Sequence, residues 1–290
     1  MSVLDDIMAH KRDEVVQQQA RRPLAEVRAA AEAAPPPLDF VAALRETKGR
    51  ASTQAPPFAH SPALPRPSLI AEIKRRSPSR GLLAPDFDPL RLARVYRENG
   101  AACISVLTDE RYFGGSLGDL AGVRSQESVI PLLRKDFICD PYQVYQARAA
   151  GADAVLLIVA ALTPELLRDL HALARGLGMA ALVKVHTAEE LETAMTCDPA
   201  LVGINNRDLH TFVVSLATTE RLCRALPAAV CVVAESGIHS AADVATVAAI
   251  ARPDTTGVDA ILVGEALVTA PDAGEKVREL TQPRENTNEG

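Results

Sequence analysis

Residues 154–186, AVLLIVAALTPELLRDLHALARGLGMAALVKVH, hold two apolar runs, AVLLIVA and AALVKVH, on either side of a stretch with helical amphipathic spacing. An apolar run this uniform suits a strand buried on both faces, as parallel strands under helices are. The first run is featureless, which fits an inner strand and argues against a binding role. The same unit recurs from Ser68 onward: LIAEIK, CISVLT, VIPLLRKDF, LVGINNR, CVVAESG and AILVGEA are each followed by a helix-like segment. That makes about eight strand–helix units spaced by roughly twenty to thirty residues, the rhythm of a parallel sheet with covering helices.

Eight units predict closure. An open doubly wound sheet has fewer strands and a glycine-rich first turn, whereas the first turn here reads KRRSPSRG. The expected fold is α/β, a (β/α)8 TIM barrel over residues 68–290. Ahead of it, Val3, Leu4, Ile7, Met8 and Val15 recur at helical spacing, and PLAEVRAAAEAA and PLDFVAALR each carry a proline suited to a first helical turn. The run TKGRASTQAPPFAHSPALPRP, ending at Pro67, lacks periodicity and reads as a loop. Residues 1–67 are thus expected to be an N-terminal helical extension and proline-rich linker that form one domain with the barrel.

The 290 residues are 48% hydrophobic and 23% charged, enough apolar area for a sizeable core. Only 3% are aromatic and none is Trp, so that core is built from Ala, Leu, Val and Ile. Thirty-one Lys and Arg against 37 Asp and Glu give a net charge of −6, which supplies no global attraction for nucleic acid or anionic lipid. Any anion site must be local. The five cysteines, Cys103, Cys139, Cys197, Cys223 and Cys231, are scattered without C-x-x-C spacing and read as reduced core residues. The charged start MSVLDDIMAHKRDEV is unlike a signal peptide, and no apolar run reaches membrane-spanning length. A cytoplasmic protein is expected, without nucleic-acid or membrane partners.

Barrel active sites lie at the carboxyl ends of the strands. Those ends are polar here: Glu72 and Lys74, Lys135 and Asp136, Lys184 and His186, Asn205 and Arg207, Glu235 and Ser236, and Glu265. Alternate strand residues share a face, so Glu72 with Lys74, and Asn205 with Arg207, can both point to the mouth. Ion pairs that merely finish the barrel end would explain one such pair, but charges gathered from many strands are costly to desolvate without a function. Strands seven and eight end in ESGI and VGEAL, where Gly237 and Gly264 let backbone approach a ligand at the place where barrels bind phosphate. SPSRG, residues 77–81, can add hydroxyl and cationic contacts. His186 lacks a second histidine or acid at ligand spacing, so no metal site is expected. His10, His60, His171, His210 and His239 read as surface or loop residues.

Several ordered motifs carry a resemblance: VLDDIMAHKRDEV, LIAEIKRRSPSRG, ISVLTDERYFGGS, LLRKDFI, GADAVLLIVAAL, GINNRDL, VAESGI and ILVGEAL. Together they resemble the indole-3-glycerol-phosphate synthase family of tryptophan biosynthesis, from about Val3 to Leu280. The resemblance implies a (β/α)8 barrel whose N-terminal extension helps cover the active site. It implies a lyase that closes the pyrrole ring of 1-(2-carboxyphenylamino)-1-deoxyribulose 5-phosphate with release of carbon dioxide and water, using no cofactor or metal. It further implies possible association with other tryptophan-pathway enzymes. By the same resemblance Lys135 is the general acid, Lys74 positions the substrate carboxylate, and Glu72 orients both lysines and keeps them protonated. Asn205 and Arg207 hold substrate and intermediate, and Glu235 is a further active-site acid. Ser77, Ser236, Gly237, Gly264 and the Glu265 backbone take the phosphate, while Phe113, Phe137 and Leu209 line the aromatic pocket, with core packing an alternative for at least one of the three.

One position departs from the family. Strand five usually ends L-x-E-V-H, with the glutamate as general base, and here reads LVKVH, with Lys184 in its place. Crowding by other lysines is expected to lower the pKa of Lys184 toward a neutral amine. Three readings are open: a working synthase whose base is Lys184 or Glu235, a paralogue acting on a related anthranilate-derived phosphate, or a non-catalytic barrel that binds ligand or a partner. The HTFVVSL segment after NNRDL and the extra ARPDTTG before strand eight are expected to alter surface loops. Phosphoribosylanthranilate isomerase, a barrel enzyme with a catalytic cysteine on strand one, fits poorly because Glu72 and Lys74 stand there.

Overall fold

A computed structural model describes residues 3–48, 66–78, 80–208, 211, 213–253 and 255–282. Among them eight parallel strands close into a barrel: β1 Ser68–Ile73, β2 Cys103–Leu107, β3 Leu132–Lys135, β4 Ala154–Ile158, β5 Ala180–Val185, β6 Leu201–Asn205, β7 Cys231–Glu235 and β8 Ala260–Val263. Each pairs with its chain neighbour, and β8 returns to pair with β1 through Ser68–Ala260 and Leu69–Ile261. The eight expected strands are all present.

Period-two alternation sorts every strand. On β1, Leu69, Ala71 and Ile73 face the helices while Ile70 faces the interior, and on β7 Val232 and Ala234 face out while Val233 faces in. The interior is filled by Cys103, Leu133, Leu156, Leu182, Leu201 and Leu262 among others, aliphatic as the composition requires. Extending the alternation to the C-terminal ends puts Glu72, Lys135, Lys184, Asn205 and Glu235 on the inward face.

Among the described residues three helices precede the barrel: α1 Val3–Arg21, α2 Leu24–Ala33 and α3 Phe40–Thr47. The prolines lie outside their first turns: Pro23 occupies the cap of α2, and α3 is capped by Asp39, whose carboxylate accepts from Ala42 N at 2.9 Å. Among the described residues ten further α-helices follow: α4 Pro89–Glu98, α5 Glu110–Phe113, α6 Leu117–Gln126, α7 Pro141–Ala149, α8 Pro164–Gly176, α9 Ala188–Met195, α10 Ala217–Cys223, α11 Ala241–Ala248, α12 Glu265–Val268 and α13 Ala273–Thr281. The pairs Asp88-Pro89, Asp140-Pro141 and Thr163-Pro164 start α4, α7 and α8 with a side-chain cap followed by a residue that needs no amide partner. Among the described residues no helix is long and apolar enough to cross a membrane.

The extension serves both ends of the barrel. Phe40 and Leu44 of α3 are fully buried in the interior cluster and plug the N-terminal end, and Thr47 Oγ1 lies 2.6 Å from Ser68 Oγ. Helix α2 packs on α7, where the Tyr142 hydroxyl donates to the Gln18 and Arg22 carbonyls. Helix α1 alone reaches the opposite mouth. The N-terminal end is also pinned by two equivalent aspartates: Asp153 accepts from Leu132 N at 2.7 Å and Asp259 from Val232 N at 2.8 Å. ARPDTTG is more than a surface loop. Its Ala251–Arg252 and Thr255–Thr256 pair as a small hairpin that delivers the buried Arg252 guanidinium to Asp259, at 2.8 Å, and to the Val230 carbonyl, at 2.9 Å.

Candidate active site

The inward-facing strand ends surround a cavity of about 830 Å³ at the C-terminal mouth. Every catalytic and binding residue named from the strand ends lines it, and Leu209 lies outside the described residues, as do Ser79, His60 and His210; Arg80 and Gly81 of the SPSRG loop stand outside the lining. The cavity brings together Glu72, Lys74, Lys135, Lys184, Asn205, Arg207 and Glu235 with Ser77, Phe113, Phe137, Ser236, Gly237, Gly264 and Glu265.

Lys135 is the centre of the charge array. Its Nζ lies 2.8 Å from Glu72 Oε2 and 3.5 Å from Glu235 Oε2, while Lys74 Nζ takes Glu72 Oε1 at 3.0 Å. Burial alone would raise the Glu72 pKa, but Lys135 and Lys74 outweigh it and hold the carboxyl at about 2. Burial would likewise lower Lys135, yet Glu72 and Glu235 carry it above the ordinary lysine value. Lys184 is different: its Nζ comes no nearer to Glu235 Oε2 than 4.0 Å. Burial pushes its pKa below the ordinary lysine value and Lys135 adds to the lowering, against the pull of Glu235. Crowding by like charge contributes as the sequence predicts, but desolvation is the larger cause.

Two glycines make room for the two carboxylates. A Cβ on Gly264 would lie 2.3 Å from Glu72 Oε1, and one on Gly203 would lie 2.5 Å from Glu235 Oε1, so a side chain at either position would force the carboxylate to move. Gly264 therefore answers to Glu72 as well as to the ligand approach expected of it. Ser236 and Gly237 both have positive φ, +68° and +80°, turning the backbone sharply after β7. Ser77 Oγ and Glu235 Oε1 are buried without a hydrogen-bond partner in this cavity. Buried polar atoms left open in a cleft are positions a ligand or solvent satisfies. Phe113 and Phe137 face each other with ring centroids 6.0 Å apart. Arg80 of the SPSRG loop spends its charge on Glu265, at 3.1 Å.

A second hydrogen-bond chain crosses three strand ends. Asn205 Oδ1 accepts from Ser236 Oγ at 2.8 Å, its Nδ2 lies 3.0 Å from His186 Nε2, and His186 Nδ1 lies 3.0 Å from Glu190 Oε2. With Asn205 donating, Nε2 accepts and the Nδ1–H donates to Glu190. An acid thus does stand beside His186, four residues on, contrary to the sequence expectation. The signal for it was T-x-x-E at Thr187–Glu190, a helix-start pattern, which here also carries Glu190 back to the His186 amide at 2.8 Å.

Lys11 of α1 is a site residue that the sequence pattern does not single out. It is wholly buried, with Nζ 2.9 Å from Glu14, 2.9 Å from Asp109 and 3.1 Å from Asp136. Burial alone would raise the Asp136 carboxyl, but Arg134 and Lys11 hold it at about 2. Arg134 also donates to Thr108 Oγ1 and the Gln143 carbonyl. This buried cluster clamps α1 across the loops after β2 and β3, so that Val3, Leu4, Asp5 and Ile7 wall the cavity. Two further expectations are corrected. Leu156 and Ile158 of the featureless fourth strand, and Ala160 just after it, line the cavity, because the inward face of the strand continues to the mouth. His171 is buried on α8, while His10 is half-buried on α1 against Tyr112.

The family model described as indole-3-glycerol phosphate synthase matches residues 4–280. The chain belongs to the indole-3-glycerol phosphate synthase family. Members of that family are decarboxylating lyases of tryptophan biosynthesis. The indole-3-glycerol phosphate synthase of Roseiflexus sp. (strain RS-1) is 52% identical over 286 residues, covering 96% of this chain and 98% of the relative. That of Aromatoleum aromaticum (strain DSM 19018 / LMG 30748 / EbN1) is 49% identical over 278 residues, with the same coverage of each chain. Among solved structures, KGPDC from Streptococcus mutans aligns with a TM-score of 0.54 at 11% identity, over 74% of this chain and 95% of that one. Thiamine phosphate pyrophosphorylase from Pyrococcus furiosus aligns with 0.53 at 21% identity, over 73% and 93%. Both are likenesses of fold alone.

Proposed function

We propose that this chain converts 1-(2-carboxyphenylamino)-1-deoxyribulose 5-phosphate to indole-3-glycerol phosphate, the reaction for which its family is named. The observation that carries the reading is Lys135, held charged between Glu72 and Glu235 inside a cavity with aromatic walls. Ring closure turns the substrate ketone oxygen toward alkoxide, and a fixed ammonium there both stabilises that charge and gives up its proton as the oxygen becomes basic. The raised pKa of Lys135 keeps the proton in place until then.

The charges support the same substrate. Four cations, Lys74, Lys135, Lys184 and Arg207, reach the cavity among its seven carboxylates, and the substrate brings a carboxylate and a phosphate for them to receive. In this reading Lys74 receives the carboxylate, and Phe113 and Phe137 hold the anilino ring. Ser77, Ser236, Gly237, Gly264 and the Glu265 backbone cradle the phosphate, while Asn205 and Arg207 hold the chain between. Anchoring both ends brings the reacting carbons together, an orientation effect worth several powers of ten. Glu235, with one oxygen free of partners, removes the methylene proton that completes the indole. A cytoplasmic setting accords with free cysteines at all five positions.

The test is direct. Purified protein is incubated with the ribulose phosphate and indole fluorescence is followed; with no Trp in the chain, product emerges over a dark background. Product formation that Lys135→Ala abolishes supports the reading. Ligand-dependent thermal stabilisation without product would make the chain a binding barrel instead.

A further inference from the structure

The cavity holds three lysines but only two are tied into short ion pairs. Lys74 and Lys135 share the Glu72 carboxylate at 3.0 and 2.8 Å, whereas Lys184 stands 4.0 Å from its nearest carboxylate oxygen. Its side chain is 14% exposed and opens into the same cavity, on the inward face of β5 beside Glu235. The substrate proposed above carries a ketone. An amine without a tight counter-ion, beside a carboxylate and within a cavity that binds a ketone, is the arrangement of a Schiff-base lysine.

Resting on that reading of the substrate, we propose that Lys184 is a nucleophile, and that its Nζ carries the substrate ketone carbon as an iminium through ring closure. Nζ adds to the carbonyl carbon. The oxygen takes one proton from Nζ and one from Lys135, and leaves as the water the reaction releases. The aromatic carbon that bears the carboxylate then attacks the iminium carbon, and the C=N electron pair returns to nitrogen. Carbon dioxide departs and its bonding pair restores the aromatic ring. Glu235 removes a proton from the neighbouring methylene, the new carbon–carbon double bond forms, and the bond to Nζ breaks. The departing Nζ takes up the proton held by Glu235, and Lys135 is reprotonated from solvent. One water and one carbon dioxide leave, as in the direct route, but the group expelled in the last step is an amine.

The environment serves the free-amine form this requires. The charged groups facing Nζ are Glu235, Lys135, Glu72 and Glu190, and burial with Lys135 outweighs the carboxylates, so the ammonium is easier to deprotonate than in water. Lys135 cannot take this role, because both carboxylates hold it in the charged form.

The experiment adds sodium borohydride to the full-length protein during turnover of the ribulose phosphate. Intact mass and peptide mapping are read beside product fluorescence. The expected result is a reduced adduct, of substrate mass less one oxygen, on the peptide containing Lys184. It should fall at least tenfold in Lys184→Arg and Lys184→Glu, which both lack the nucleophile, although the glutamate variant regains the family's carboxylate. Unreacted ketone recovered from 18O-water should also gain label faster with the parent protein than with Lys184→Arg. Product without adduct, or an adduct on Lys74 or Lys135, overturns the inference and leaves the proposed reaction standing. Neither product nor adduct overturns both.

Discussion

Replacing Lys11 with methionine leaves Asp109 and Asp136 buried without the cation between them. The loss is unequal. Asp136 keeps Arg134 at 3.0 Å and the Thr108 hydroxyl at 2.6 Å. Asp109 keeps the Tyr112 and Phe113 amides on Oδ1, but its Oδ2 faces Lys11 at 2.9 Å. Breaking a buried pair by removing one partner costs about 3–5 kcal/mol, and with Asp136 still partnered the expected value is the lower end, about 3 kcal/mol. Since the cluster joins α1 to the barrel, part of the loss will appear as local opening of α1. Urea unfolding gives the global part, and amide exchange of residues 3–21 the local part. Because α1 walls the cavity, KM for the ribulose phosphate should rise more than kcat falls. Adding Asp109→Asn should return about 1–2 kcal/mol, since the stranded charge is then gone. A loss under about 1 kcal/mol with no rescue by Asp109→Asn, and unchanged exchange in α1, would refute the clamp.

Gly264→Ala puts a methyl 2.3 Å from Glu72 Oε1 and must displace that carboxylate from Lys135 and Lys74; kcat should fall by roughly tenfold or more, because the acid loses its fixed position, and an unchanged kcat would show Glu72 free to shift at no cost. Arg252→Met acts at the other end of the barrel, where it leaves Asp259 with Lys48 as its one remaining cation and unpairs the Pro227 and Val230 carbonyls, so stability should drop by about 3 kcal/mol, the lower end for a broken buried pair, with KM unaltered. In acid, Glu72 and Asp136 govern the pH response: both fold with pKa values of about 2, below their ordinary 4.5 and 3.8. A depressed folded value means that stability is fully present above about pH 4.5 and is lost as pH falls toward 2, on the order of a few kcal/mol between them. Urea midpoints measured across that range should fall together, and Glu72→Gln should flatten the slope; a parent curve that is already flat would contradict the ion pairing.

The barrel and the ring at its mouth were legible because they rest on short-range rules. Eight apolar runs with alternating faces give eight strands, and the same alternation sends Glu72, Lys135, Lys184, Asn205 and Glu235 inward with no knowledge of their partners. What escaped notice depends on residues far apart in the chain. Lys11 lies between Ile7, Met8 and Val15 on the buried stripe of α1, so in the sequence it reads as a polar break in that stripe. Its meaning comes from Asp109 and Asp136, roughly a hundred residues away. Arg252 sits in a segment that looks like an insertion, and only the barrel brings Asp259 under it. One long-range signal was present in the letters: GADAVLL at 151–157 and GVDAILV at 257–263 set an aspartate at the same place before β4 and β8. Each bonds an amide of the strand before it, Leu132 on β3 and Val232 on β7.

The two equivalent aspartates also show how far a shared motif constrains chemistry. Burial raises the Asp153 carboxyl and its partners fail to offset that, whereas Asp259, with Lys48 and Arg252 both at 2.8 Å, is held below the ordinary value. Backbone geometry repeats between the halves, and the direction of each shift follows the balance of burial against the cations each half recruits. The mouth obeys the same logic. Gly203 lies beside Lys184 in the β5–β6 register, and its missing side chain is the space that Glu235 Oε1 occupies. A carboxylate at position 184 would therefore face Glu235 across a gap with no side chain from β6 to separate them, whereas a lysine there meets opposite charge. Lys184 is thus electrostatically matched to Glu235 in a way that a glutamate at the same position would not be. Substitution at 184 should change the protonation of Glu235 along with its own chemistry, so activity lost or gained there has to be read against a Glu235→Gln background before it is assigned to either residue.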